Sequence, residues 1–192
     1  MVRTSSAEHC LSEDDRDVLR SLAARVIQDQ AANGREAAPD PNAYAPTLRE
    51  PRACFVTLNL DGELRGCVGC LEPSASLVEE VARAAHNAAF RDPRFSPVTR
   101  HEAPRLDIHI SVLSTPEPMS FVDENDLVAQ LRPHIDGLIV RDGSRSGTFL
   151  PAVWDNFPDP AMFLRQLKRK AGLSMDHWSS NLVVERYVTE SF

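Results

Sequence analysis

The residues that could do chemistry lie in a short run, LRGCVG, at positions 64–69. It places the thiol of Cys67 two residues after the guanidinium of Arg65, with Gly66 and Gly69 close on either side. A thiol beside a fixed positive charge has a lowered pKa and is more often a thiolate at neutral pH. Glycines remove side chains, so a ligand or another backbone can approach closely. The run is therefore a candidate site for a nucleophilic cysteine, in which Arg65 either lowers the thiol pKa or binds a carboxylate or phosphate.

An Asp-Gly dipeptide at 61–62 precedes this run and joins two strand-like segments, which is a strong hairpin signal. A two-residue turn at this point predicts that Leu58 faces Arg65 and that Val56 faces Cys67. Because cross-strand partners share a face, Arg65 and Cys67 are expected on the apolar face of the hairpin. A charged side chain on such a face is a local inconsistency, and such inconsistencies tend to mark functional places.

Cys67 has other interpretations. It could be a small packing residue, since free cysteine is among the most buried residue types, and Arg65 would then pair with a structural carboxylate. With Cys70 it forms a C-x-x-C pair, but a structural zinc needs four ligands, and Cys10 and Cys54 are single. A thioredoxin-like redox pair would lie at a strand-to-helix turn. The sequence also lacks G-x-G-x-x-G, P-loop and H-E-x-x-H motifs, so we expect no metal and no cofactor.

Hydrophobic periodicity and capping residues predict the elements that position the run. Helices are expected at 12–34, 74–90, 123–131 and 159–172, strands at 54–60, 106–112 and 182–188, a second hairpin at 135–150 with its turn at Asp142-Gly143, and an irregular proline-rich segment at 37–52. Because the strands come in hairpins and do not alternate with helices, the sequence predicts an α+β fold with mostly antiparallel sheets. Two hairpins, each followed by a helix, indicate two lobes.

Charge and composition narrow the classes of function. The net charge is -7, whereas phosphate binding needs a basic face, so nucleic acid is not an expected partner. The one basic run, at 165–170, is interpreted as a solvated helix face near a helix C-terminus. No apolar run approaches the roughly 20 residues of a membrane span, and the N-terminus lacks the apolar region of a secretory signal. We therefore expect a cytoplasmic protein with reduced cysteines and no membrane association.

Several segments together resemble one protein family. They are LRGCVG, DPRFSPVTRHEAPRL, the strand ending ISVLS, GTFLPAVW and LKRKAGL. This set resembles the AMMECR-like family, whose bacterial and archaeal members are called protein A of the AmmeMemoRadiSam system. The likeness runs from about Phe55 to Tyr187. It implies a single domain over 1–192, an α+β protein of two unequal lobes with a cleft between them that the LRGC segment lines.

The resemblance carries over position by position. The matching residues are Leu64, Arg65, Gly66, Cys67 and Gly69 of the LRGC element, Asp92, Arg94 and Phe95 of the DPRF element, and Leu150-Pro151. Relatives usually have threonine where this chain has Cys70, which counts against C-x-x-C chemistry. Gly66, Gly69, Asp92 and Arg94 are accordingly our candidate ligand-binding residues. Asp92 and Arg94 could instead pair with each other and brace the turn after the helix, or pair with Arg65.

His109 completes the candidate catalytic set with Cys67 and Arg65. It lies on the polar face of its strand beside Asp107 and Ser111, so it could serve as a base for Cys67. The alternative is a histidine that faces solvent.

Two functions of different classes remain open at this point. One is a cysteine-dependent enzyme that acts on an unknown small molecule or peptide, which Arg65 would favour if it is anionic. The other is a non-catalytic component that binds such a ligand. The resemblance implies as partners a Memo-like protein, similar to class III extradiol dioxygenases, and a radical SAM enzyme.

Overall fold

A computed structural model describes residues 11–35 and 38–192. Its helices are α1 (Glu13–Asn33), α2 (Pro46–Arg49), α3 (Leu77–Phe90), α4 (Glu124–Gln130) and α5 (Pro160–Lys170). Its strands are β1 (Cys54–Leu60), β2 (Glu63–Gly69), β3 (Asp107–Leu113), β4 (Glu117–Pro118), β5 (Gly137–Asp142), β6 (Arg145–Phe149), β7 (Val183–Tyr187) and β8 (Thr189–Ser191). The predicted α+β fold with two antiparallel sheets and flanking helices is confirmed. Cys10 and the start of the predicted proline-rich segment, residue 37, lie outside the described residues.

Local capping chemistry sets the helix ends. The Ser12 hydroxyl accepts a hydrogen bond from the Asp15 N–H at 3.1 Å and starts α1, and Gly34, at φ 64, ends it in the left-handed conformation that favours glycine. Ser76 and Glu79 form a reciprocal capping box at the start of α3. These helix predictions are confirmed to within a few residues.

The proline-rich segment is more regular than predicted. It contains a 3-10 turn, Pro41–Ala43, and the short helix α2. A proline at the first helical position opens each of them, because its missing N–H would have no intrahelical partner there. The expectation of a wholly irregular segment was therefore wrong.

The first compact unit runs to Leu113 and includes Glu190–Phe192. Its sheet has the strand order β2-β1-β3-β8, so β2 is an edge strand. One face of this sheet packs against α3, and α1 packs on α3, around a core that includes Val56, Leu58 and Val81. We call the opposite face, which carries Phe55, Thr57 and Asn59, the outer face. Strand β8 was not predicted.

The second compact unit is Ser114–Thr189. Its sheet has the order β4-β7-β5-β6, with α5 packed against β6. Trp154 and Phe163 stack at a centroid distance of 3.7 Å in its core. Asp142 pairs with Arg145, so the hairpin turn lies one residue later than predicted. The division into unequal units fits the predicted lobes, while the cleft between them and the single domain over 1–192 stay predictions. None of the described helices is long and apolar enough to cross a membrane.

Candidate functional site

The register of the first hairpin differs from the prediction. Thr57 lies opposite Cys67 and Leu58 opposite Gly66, but Asn59 lies opposite Leu64, so the register shifts at this point. Arg65 is the extra residue of a β-bulge and has no partner on β1. The predicted pairs Leu58–Arg65 and Val56–Cys67 were therefore wrong, because the turn alone does not reveal a bulge. Cys67 lies on the outer face and not on the apolar face.

The two glycines of the run make room for protein atoms. A Cβ on Gly66 would lie 2.1 Å from the carbonyl oxygen of Ala88, so α3 can pack on β2 only if this residue lacks a side chain. A Cβ on Gly69 would lie 2.2 Å from the carbonyl oxygen of Cys54 and 2.5 Å from the ring of Phe55. Both contacts assign the glycines a packing role, and their predicted part in ligand binding stays a prediction.

Arg65 bonds a carboxylate and not the thiol. Its Nε donates to Glu102 Oε1 at 3.1 Å, and its Nη2 donates to Glu102 Oε2 and to the Pro97 carbonyl, both at 3.3 Å. The guanidinium, helped by the Thr99 N–H, lowers the pKa of Glu102 to about 2. Nη1 is buried and has no hydrogen-bond partner among the described residues. Arg65 therefore braces the bulge against the segment around Glu102.

Asp92 and Arg94 hold the backbone of Cys67. The Cys67 N–H donates to Asp92 Oδ2 at 3.0 Å, and Arg94 Nη2 donates to the Cys67 carbonyl at 3.3 Å. The two side chains also bond each other at 2.9 Å and 2.7 Å. The Arg94 guanidinium holds the pKa of the buried Asp92 carboxyl well below its usual range. Because β2 is an edge strand, this clamp occupies backbone groups that would otherwise face outward and invite another strand.

The Cys67 thiol belongs to a row of side chains on the outer face. Thr57 pairs with Cys67 on one side and with His109 on the other, so the three residues lie side by side across β2, β1 and β3. The Thr57 hydroxyl donates to Cys67 Sγ at 3.3 Å, and His109 Nε2 bonds Asp107 Oδ2 at 2.9 Å. Two strand spacings, about 10 Å in all, separate the backbones of Cys67 and His109. His109 is thus on the same face as the thiol but not bonded to it, and its role as a base stays a prediction.

The other described cysteines face a different environment. Burial raises the pKa of the Cys54 thiol far above its usual value. Burial also raises the pKa of Cys70, whose thiol donates to Glu80 Oε2 at 3.3 Å on the α3 side of the sheet. Cys67 and Cys70 therefore point to opposite faces and do not form a shared ligand pair. Within residues 11–35 and 38–192, no group of three or more histidine, cysteine or carboxylate side chains is arranged to hold a metal ion.

Comparison with known proteins identifies the family. The AMMECR1 family model matches residues 20–192, and the LRGC and DPRF elements just described lie within the match. The chain belongs to the AMMECR1 family. A protein from Thermofilum pendens is 36% identical over 194 residues, covering 95% of this chain and 91% of its own length. A protein from Thermococcus gammatolerans is 38% identical over 187 residues, with 92% and 88% covered.

A solved AMMECR1-like structure shares the fold. The crystal structure of an uncharacterised protein from Pyrococcus horikoshii superimposes with a TM-score of 0.82 at 35% identity. The superposition covers 91% of this chain and 88% of that one. The family resemblance predicted from the motifs is thus confirmed.

Sequence reasoning missed two residues of this site in the AMMECR1-family chain. Thr57 has a detectable signal, because it is a polar residue between the apolar Val56 and Leu58 of a strand. Glu102 lies within the family-like segment DPRFSPVTRHEAPRL, but its pairing with Arg65 has no signal, since the two are 37 residues apart in the chain and only the fold brings them together.

Proposed function

We propose that this AMMECR1-family protein is a binding component that holds a small polar molecule or a peptide, including a peptide segment of a partner protein, on the outer face of its first sheet. In this proposal it acts with a Memo-like protein and a radical SAM enzyme. The observation that carries the proposal is the row Cys67, Thr57 and His109, whose members lie side by side in register. Cys67 and Thr57 are half-buried and His109 is exposed, so the row can be reached by a ligand.

The chemistry of the row suits binding. Thiol, hydroxyl and imidazole groups both donate and accept hydrogen bonds, and a pleated sheet holds them at fixed spacing. Preorganised polar groups lower the entropy that binding costs. The clamp of Asp92 and Arg94 and the pair of Arg65 and Glu102 add rigidity to β2, the strand that presents the thiol.

Binding is better supported than catalysis because the activating groups are engaged elsewhere. Arg65 is ion-paired with Glu102, and His109 bonds Asp107. The sequence favoured an anionic ligand because of Arg65. The structure removes that support, because the Arg65 guanidinium already pairs with Glu102. The partners come from the family resemblance, and they stand as part of this proposal together with the expected cytoplasmic location.

A binding experiment with the full chain tests the proposal. The Memo-like protein and the radical SAM enzyme of the same organism are immobilised, and the affinity of the chain for each is measured by interferometry. Thr57→Val and His109→Ala should weaken binding by about tenfold or more, the loss of roughly one good contact. His101→Ala is the matched control, because His101 is an exposed histidine of the same unit and lies off the outer face. Equal affinities for all variants, or no complex with either partner, would contradict the proposal.

Cysteine catalysis is a second candidate, and one observation favours it. The Thr57 hydroxyl donates to Cys67 Sγ at 3.3 Å and so holds the sulfur in a fixed position on the outer face. Arg94 adds a guanidinium on the same strand edge. Its pKa is raised mainly by the hydrogen bond to Asp92, and the Cys67 thiol makes the smallest contribution. A ligand lying over Thr57 could then meet the thiol on one side and His109 on the other.

The pH dependence of alkylation separates this candidate from binding alone. Iodoacetamide modification of each cysteine is followed by mass spectrometry, with Thr57→Val as the test variant and buried Cys54 as the internal reference. An activated Cys67 is alkylated much faster at neutral pH than an ordinary free thiol, and Thr57→Val slows its reaction. A Cys67 that follows an ordinary thiol profile in both proteins rules out the catalytic candidate.

A further inference from the structure

A small pocket lies at the free edge of β2, on the side of the sheet that faces α3. Val68 and Ala84 form its apolar wall, and Gly69, Arg83 and Asn87 form its polar wall. Its cavity volume is about 30 Å³, room for roughly two ordered water molecules, and it opens to solvent along the edge of β2. It is distinct from the row on the outer face, so the inference below does not depend on the proposed function.

The backbone N–H and C=O of Gly69 face the open edge. Hydrogen-bonding directions alternate along an antiparallel strand, and the Cys70 N–H donates to the Cys54 carbonyl across the hairpin at 3.0 Å. Gly69 must then point its N–H and C=O away from β1, as Cys67 does. At Cys67 these two groups bond Asp92 and Arg94. At Gly69 no side chain in the described part of the chain bonds either the N–H or the C=O. The edge of β2 is thus blocked at Cys67 and open at Gly69.

Arg83 is held in place at the pocket, and some of its N–H donors remain unused. It forms an ion pair with Glu80, and its Nη2 donates to the Ser74 hydroxyl at 3.0 Å. Its Nε and Nη1 bond no group in the described part of the chain, and its side chain is 47% exposed. The Asn87 side chain adds a second donor to the same wall.

Glu80 brings a negative charge to this wall, but its oxygens are already engaged. Glu80 Oε1 accepts from the N–H groups of Ser74 and Ala75 at 2.7 Å and 3.1 Å. Oε2 accepts from the Cys70 thiol and from Arg83. Glu80 therefore positions Arg83 and leaves the outward side of the guanidinium to a ligand.

We propose that this pocket binds an N-acyl amino acid unit with a free carboxylate, as at the carboxyl end of a peptide. The ligand residue adds to β2 as one antiparallel strand residue, in which its amide N–H donates to the Gly69 carbonyl and one carboxylate oxygen accepts from the Gly69 N–H. The carboxylate accepts hydrogen bonds from Arg83 and Asn87. A chain end fits better than a long strand because the clamp of Asp92 and Arg94 blocks pairing beyond Gly69 on the Cys67 side.

Titration of the full chain with N-acetylglycine, followed by amide chemical shifts, tests the proposal. Saturable shifts are expected at Gly69, Cys70, Ala84 and Asn87, with a Kd of about 1 mM for a ligand of this size. N-acetylglycinamide, which lacks the carboxylate, should bind roughly tenfold more weakly. No saturable shift at these amides, or equal affinity for the two compounds, would overturn the proposal.

Variants of the polar wall locate the carboxylate. Arg83→Gln and Asn87→Ala should each weaken N-acetylglycine binding about fivefold or more. Arg91→Gln is the matched control, since Arg91 is an exposed arginine at the end of the same helix and does not line the pocket. Arg83→Gln also removes the cation beside Glu80, so Asn87→Ala keeps the test valid if the first variant fails to fold. Unchanged binding in Asn87→Ala, or an equal loss in Arg91→Gln, contradicts the assignment.

A longer probe distinguishes two sources of the same ligand chemistry. Acetyl-triglycine that binds more tightly than N-acetylglycine supports the carboxyl end of a peptide as the natural ligand. Equal or weaker binding supports a free N-acyl amino acid.

Discussion

Two hairpins, β1–β2 in the first unit and β5–β6 in the second, each supply the edge strand of a four-stranded sheet. Both edge strands carry a glycine whose missing side chain lets the chain pack closely, Gly66 against Ala88 and Gly147 against Ala171. Both also have a carbonyl capped by a cation. Arg94 donates to the Cys67 carbonyl and Lys170 to the Thr148 carbonyl, at 3.3 Å and 2.9 Å. These shared features belong to the protection of a sheet edge.

The differences between the hairpins lie in what the edge residue presents. In β6 the Thr148 hydroxyl bonds inside its own unit, to the Leu138 carbonyl at 2.8 Å and to the Tyr187 hydroxyl at 2.9 Å. In β2 the corresponding position presents the thiol of Cys67 on the outer face, and a bulge at Arg65 precedes it. The comparison separates the edge clamp, which any exposed strand can use, from the bulge and thiol, which the second hairpin lacks.

The largest expected difference is at the two glycines. Gly66→Ala should lower the free energy of unfolding by about 3 kcal/mol, because the new Cβ would lie 2.1 Å from a backbone oxygen of α3. Gly147→Ala, whose nearest atom is at 2.9 Å, should cost about 1 kcal/mol. Urea unfolding of both variants measures this. Similar losses would mean that the α3 contact does not set the geometry of β2.

The next largest difference in stability is expected between the clamp of Asp92 and Arg94 on β2 and the Lys170 bond on β6. Asp92→Asn should cost about 2 kcal/mol, since it weakens buried hydrogen bonds to Arg94 and to the Cys67 N–H. Lys170→Met should cost about 0.5 kcal/mol, because the Lys170 bond is exposed to solvent. The same unfolding experiment compares them. A loss in Lys170→Met as large as in Asp92→Asn would contradict the view that the first clamp is the stronger.

The bulge has a signature in the pH dependence of stability. Arg65 lowers the pKa of Glu102 from 4.5 to about 2, so the unfolded chain binds more protons between these values. The stabilisation is fully present above about pH 4.5 and is lost as the pH falls toward 2. Glu102→Gln should therefore be less stable than the parent at neutral pH and show a shallower loss of stability between pH 5 and pH 2. Parallel pH curves for the two proteins would show that the pair does not form.

The smallest expected effect is at the thiol that β2 presents, and Thr148 of β6 serves as its comparison. Cys67→Ser should change the free energy of unfolding by about 0.5 kcal/mol or less, because the residue is half-buried and serine can still accept from Thr57. Thr148→Val should cost about 1 kcal/mol, since it removes internal hydrogen bonds. Thermal or urea unfolding distinguishes these values. A large loss in Cys67→Ser would assign the thiol a packing role.

Much of the fold could be predicted because its signals are local. Ser12 and Gly34 bound α1, Ser76 starts α3, and an Asp-Gly dipeptide turns the first hairpin. Strand β8 could not be predicted, because three residues carry no clear periodicity and the strand exists only through pairing with β3, as in the two bonds between Ile110 and Phe192.

The candidate site was predicted only as a set of residues. The sequence placed Arg65, Cys67 and Gly69 within one run and, through the family motif, added Asp92 and Arg94. It did not show that Arg65 would bulge out of the strand and bond Glu102. A bulge adds one residue to one strand, and this reverses the face of every side chain beyond it.

The sequence by itself determined the family, the α+β class, the helix caps and, to within one residue, the turns of both hairpins. Each of these depends on residue types at fixed short spacings, which are present in the sequence before any tertiary contact forms. Only the tertiary structure decided that Cys67 faces away from α3, that Asp92 and Arg94 bind the Cys67 backbone, and that Gly69 opens on a pocket. These features depend on contacts between residues far apart in the chain, such as Gly66 with Ala88, and no local pattern encodes such a contact.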